Sequence, residues 1–163
     1  ASDVYKRQDI ASEIKRLGAL TNTQKQATQL SNDFLNELAE LRSKYAKSSL
    51  IPVFYYSWTA PLMTIGPNAW GNQLLNVCGA QTLFADSPVD YPQVALKDVL
   101  TRQPHALIAA SKSTHSELEV FWRDHRSFLK APLIVVDPDV TSRFSLRLIN
   151  ELKVLCKGIK ESA

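Results

Sequence analysis

The sequence predicts an α/β fold: a three-layer, mostly parallel sheet flanked by helices. Two observations lead to it. The runs Ala106–Ser111 and Ala131–Asp137 are too uniformly apolar for strands with one wet face, so both of their faces must be covered. Around them lie segments whose apolar residues recur every three or four positions, and strands that alternate with helices are joined by crossovers into a parallel sheet. With 163 residues, 45% of them hydrophobic, the chain suits one domain with a sizeable core.

A short helical pattern runs from about Asp9 to Leu17 and is interrupted by Gly18 and by Thr21-Asn22-Thr23. A long helix follows, with Thr23 as its N-cap and Ala27, Leu30, Phe34, Leu38, Leu41 and Tyr45 forming one apolar stripe. Its opposite face, with Asp33, Glu37, Glu40, Arg42 and Lys44, reads as a solvated surface. Residues Pro52–Gly79 read as strand, loop, helix: a β-branched and aromatic run, a loop with Pro61, Gly66 and Pro67, and a periodic segment closed by Gly79. Such a unit carries a loop to the carboxyl edge of a sheet, where α/β folds hold ligands. Ala80–Asp86 is a short strand or edge segment, and Pro88 and Pro92 stiffen the loop Ser87–Pro92. Val94–Arg102 forms a short helix ahead of the first buried strand. Thr114 or Ser116 opens the next helix, with Leu118, Phe121 and Trp122 facing inward. Asp137-Pro138-Asp139 ends the second buried strand, and a last helix runs from about Thr141 to Lys157 with Gly158 as its stop.

Several function classes are excluded by composition. A net charge of +3, from 19 basic and 16 acidic residues, is small and scattered, and lacks the footprint of a nucleic-acid binder. No apolar run approaches the roughly 20 residues of a membrane span. His105, His115 and His125 are dispersed, there is no Gly-x-Ser-x-Gly elbow, and Gly66 and Gly71 lack the spacing of a phosphate loop, so no catalytic residue is named. Asp137 and Asp139 have no third convergent ligand and read as a turn, so neither a metal nor a cofactor is expected. Cys78 and Cys156 both fall on core-facing stripes, which leaves two buried thiols and a disulfide equally open. The aromatic and apolar residues beyond the strand ends, Trp58 and Met63 flanking Pro61, and Tyr91, are either loop anchors or a rigid wall for a flat apolar ligand.

The first residues stand apart. Asp3-Val4-Tyr5-Lys6-Arg7-Gln8 reads back as GAT GTG TAT AAG AGA CAG, the form of a transposon end used in preparing sequencing libraries. Residues 1–8 are therefore expected to be translated adapter and are left out of the fold reasoning.

The order of long helix, strand, Pro61-Leu-Met63-Thr-x-Gly66, a helix to Asn76-Val-Cys78-Gly79, then Phe84-x-Asp86-Ser87 and Tyr91-Pro-Gln-Val94 resembles the vitamin B12-binding proteins of the Gram-negative periplasm. More widely, it is similar to the substrate-binding proteins whose two lobes are joined by one rigid helix. The likeness continues through Val99-Leu-x-Arg102-x-Pro104 to Arg143-x-Ser145-x-Arg147 and Leu155-Cys156, from about Asp9 to Gly158. It implies that residues 9–47 contain the lobe-linking helix, that 48–163 are the carboxyl-terminal lobe, and that the amino-terminal lobe and its signal peptide lie upstream. It implies a non-enzymatic, monomeric component of an ABC importer that captures cobalamin or another corrinoid in the periplasm and delivers it to an inner-membrane permease. Carried over by position, the ligand set is Met63 and Tyr91 at aromatic wall positions, Asp139 and Arg143 at polar ones, and Ser142 where the family has a glutamate. Cys78 and Cys156 match the family's disulfide, and Lys97, with Asp98 beside it, matches an acidic position that meets the permease. The competing expectations are a siderophore or haem binder of the same class, and a flavodoxin-like cytosolic enzyme or regulatory domain.

Overall fold

The computed structural model describes residues 2–141 and 147–162. Its sheet has the order β2–β1–β4–β5, where β1 is Ile51–Thr59, β2 Leu62–Thr64, β4 Leu107–Ala110 and β5 Leu133–Val136, while β3, Ala80–Thr82, pairs with the first residues of β1. All pairings are parallel except β1 with β2. The order of helices is α1 (Ser2–Leu20), α2 (Gln24–Tyr45), α3 (Trp70–Val77), α4 (Leu96–Arg102), α5 (His115–Trp122), α6 (Pro138–Thr141) and α7 (Leu148–Ser162).

Strand alternation divides the core into two layers. Val53, Tyr55, Ile108 and Val136 point to the side covered by α2, α3 and α7, where they meet Phe34, Leu38, Leu75, Leu152 and Leu155. Phe54, Tyr56, Leu107 and Leu133 point to the other side, against Phe84, Val99, Trp122 and Leu129. Trp122 anchors this second layer: it is fully buried, its Nε1 donates to the Tyr56 hydroxyl at 2.9 Å, and its indole meets Phe54, Tyr56 and Phe121 edge-on. The expected three layers and mostly parallel sheet are thus present.

Several local expectations change. The segment after Pro61 is a strand: β2 folds back on β1 through a cis Ala60–Pro61 bond. Leu30 is exposed and Ser31 takes its place on the buried stripe of α2, because the Ser31 hydroxyl donates to the Ala11 carbonyl of α1. Thr23 precedes α2 without capping it, and its hydroxyl is shared with Thr21. Thr114 is the cap of α5, accepting from Glu117 N–H while the Glu117 carboxylate accepts from Thr114 N–H. Gly158 lies inside α7, which continues to Ser162, and Ile134 packs where a side chain would stand. α1 extends upstream of the Asp9 start read from periodicity.

Cys78 and Cys156 form a disulfide between the end of α3 and the buried face of α7, with Cα atoms 4.6 Å apart. Gly79 follows with φ of +71°, and a Cβ there would lie 2.2 Å from the Tyr45 carbonyl oxygen, so the α2 end and the α3 end touch only because this residue has no side chain.

Candidate functional site

The carboxyl ends of β1, β3, β4 and β5 share one edge of the sheet, and the segments that leave it carry most of the residues singled out from the sequence. Met63 sits in β2, half-buried, opposite Trp58 of β1. On its other side the chain from Asp90 to Val94 runs antiparallel to β2. Thr64 N–H donates to Pro92 O at 3.1 Å, Gly66 N–H to Asp90 O at 2.8 Å and Val94 N–H to Leu62 O at 3.0 Å, with Met63 bridged to Gln93. Gly66 permits this approach, since a Cβ would lie 2.1 Å from the Val89 carbonyl oxygen. The rigid proline loop is thereby docked as an extra sheet edge. This docking brings Tyr91 into line with Met63.

Tyr91, 62% exposed, lies close enough to Tyr55 of the layer covered by α3 for the two phenols to interact. Burial pushes the Tyr55 hydroxyl above its ordinary pKa, and the phenol of Tyr91 adds to the rise. The Tyr55 hydroxyl lies 3.5 Å from Thr141 Oγ1, and Trp70 Nε1 donates to the Thr141 carbonyl at 2.8 Å. β2, the proline loop, α3 and α6 therefore converge at this edge.

Asp139 is at the same edge, on α6. Its backbone N–H donates to Asp137 Oδ1 at 2.8 Å, and its Oδ2 is 2.9 Å from Nζ of Lys112, which also reaches Asp137 Oδ1 at 2.8 Å. Lys112 lies just beyond β4 and was missed in the sequence, where a lysine after a strand is an ordinary surface residue. Its hydrogen bonds to the two carboxylates raise its pKa, and the Asp137 carboxyl is held below its ordinary range by Lys112 and then by the Asp139 N–H. Ser142 and Arg143 lie outside the described residues. Lys97 and Asp98 are both exposed on the first turn of α4, at the end of that helix nearest the carboxyl edge.

The arrangement is a wall: Trp58, Val89 and Tyr91 present apolar area to solvent, and Lys112 and Asp139 at its rim are paired with each other. Among the described residues there is no group of three His, Cys, Asp or Glu side chains able to hold a metal, and no helix is long and apolar enough to cross a membrane.

A periplasmic binding protein family model matches residues 2–127, and the chain belongs to that family. Among individual relatives, it is 34% identical over 160 residues to a vitamin B12-binding protein of Salmonella choleraesuis, covering 98% of this chain and 59% of that protein. It is 31% identical over 154 residues to a vitamin B12-binding protein of Pectobacterium carotovorum, covering 93% and 55%. The crystal structure of the periplasmic vitamin B12-binding protein BtuF of Vibrio cholerae superposes with a TM-score of 0.81 at 26% identity, over 96% of this chain and 62% of that one. A periplasmic haem-binding protein of Pseudomonas aeruginosa gives a TM-score of 0.79 at 20% identity, over 96% and 61%, a likeness of fold. The chain spans about three-fifths of the length of these relatives.

Proposed function

We propose that this chain is the carboxyl-terminal lobe, with its linking helix region at residues 9–47, of a periplasmic substrate-binding protein that captures cobalamin or a related corrinoid for an ABC importer. The observation that carries the reading is the aromatic and apolar wall built at the carboxyl edge by β2 and the docked proline loop, with Met63 and Tyr91 upon it and Asp139 at its rim. A corrin is large and flat, with apolar faces and a fringe of amides. Apolar walls bury the faces, and a carboxylate accepts from amide N–H groups, so the two parts of the edge suit the two parts of the ligand. The reading includes Ser142 and Arg143 as further polar ligand contacts, by position in the family, and makes and breaks no bond.

The first turn of α4 is the proposed docking point for the permease. Asp98, at a helix N-terminus, supplies the negative charge that the matched Lys97 does not. Both relatives compared by sequence are named for vitamin B12, which favours a corrinoid over haem or a siderophore. Isothermal calorimetry with cyanocobalamin on the protein carrying both lobes tests this. Saturable binding at micromolar or lower concentration is expected, stronger than to haemin or a ferric siderophore. Absence of heat with cyanocobalamin, together with binding of haemin, would replace the corrinoid by haem.

A further inference from the structure

β1 changes register as it leaves the core. Tyr56 stands opposite Thr64, yet Trp58 stands opposite Met63, so Ser57 is an extra residue taken up on β1 between the two pairs. Side chains alternate along a regular strand, and a regular β1 would send Trp58 to the side of Phe54 and Tyr56, toward Trp122. The extra residue turns it to the opposite side. That side carries Met63, because directly opposed residues of antiparallel strands share a face, and Gln93, bridged to Met63, continues the row.

The result is an indole 67% exposed on the wall described above, in a molecule whose other two tryptophans are accommodated inside. Trp122 is fully buried, and Trp70 is half-buried with its Nε1 bonded to Thr141. Tryptophan carries the largest aromatic face available to a protein, and one held in the open by a bulge at a ligand edge has a ready use.

We propose that Trp58 contacts the ligand, the bulge at Ser57 being the device that aims its indole at the flat ring, so that it supplies aromatic area beyond that of Met63 and Tyr91. This assignment rests on the binding-protein reading, and its ligand class is a large planar or macrocyclic ring with an apolar face.

The test uses iodide quenching and titration of the protein carrying both lobes, with cyanocobalamin, haemin and a ferric siderophore as probes. In wild type, part of the iodide-accessible fluorescence is expected to come from Trp58, to be lost in Trp58→Phe, and to be protected by whichever probe binds. Trp58→Ala is expected to weaken that binding roughly tenfold or more, and Trp58→Phe to restore most of it. Deleting Ser57 removes the extra residue yet leaves Trp58 directly after Tyr56, opposite Met63 and on the same side, so this variant is expected to keep most of the binding that Trp58→Ala loses; if it does not fold, the two substitutions decide. Binding by wild type that is unchanged in Trp58→Ala, with no protection of the indole, overturns the assignment and leaves the function standing. So does an indole already shielded from iodide in the ligand-free two-lobe protein but open in the 163-residue chain, which would place the other lobe upon it. Failure of wild type to bind any of the three probes overturns the functional reading and this assignment with it.

Discussion

Individual side chains set the tolerances of this fold. Gly79 combines a left-handed backbone with direct contact to the Tyr45 carbonyl, so Gly79→Ala is expected to lose the roughly 1–2 kcal/mol of the left-handed conformation and a further amount for the clash. A lowered urea midpoint measures it. Asp137 sets a pH response. Lys112 holds its carboxyl below the ordinary value in the folded state, so as pH falls the unfolded chain takes up that proton first. The pairing therefore stabilises the fold above the unfolded pKa, near 4, and that contribution is lost as pH drops through the lower folded value. Urea midpoints between pH 6 and pH 3 are expected to fall less steeply in Asp137→Asn than in wild type. An equal slope would show that the Lys112 bridge adds nothing to stability.

Helices α2, α3 and α7 act as a clamp on one face of the sheet, and their contribution is divided between packing and a covalent tie. Leu38 of α2 is buried against that layer, whereas Leu30, one face over, is open. Leu38→Ala is expected to cost about 2–5 kcal/mol, and Leu30→Ala to stay within about 0.5 kcal/mol, by chemical denaturation of the 163-residue chain. The Cys78–Cys156 disulfide closes a loop of 78 residues through the same layer. Chain-entropy reasoning gives about 4.5 kcal/mol for such a loop, so the Cys78→Ala, Cys156→Ala double variant is expected to unfold at markedly lower denaturant. A midpoint equal to that of wild type would assign the tie no role in stability.

For the whole molecule, the proposed two-lobe reading makes the open wall one side of a cleft. A site that buries most of a large ligand needs a second wall, so the 163-residue chain is expected to bind cyanocobalamin at least tenfold more weakly than the protein carrying both lobes. Equal affinity in parallel titrations would contradict the two-lobe cleft.

What the sequence determined by itself was the layering: runs such as Ala106–Ser111 are apolar on both faces, and the stripe Ala27, Leu30, Phe34, Leu38, Leu41, Tyr45 repeats with the helix and is buried at every position but Leu30, so local periodicity and burial carry nearly the same message. Met63, Tyr91 and Asp139, singled out by the family likeness as ligand contacts, lie at the carboxyl edge, and their part in binding is proposed. Only the tertiary structure decided the rest. Pairing of β2 with the proline loop, the hold of Lys112 on Asp139 and the position of Gly158 inside α7 depend on residues far apart in sequence. The bulge that turns Trp58 onto the wall is a difference in register between two strands, and register is a relation between strands that the sequence of β1 alone does not contain.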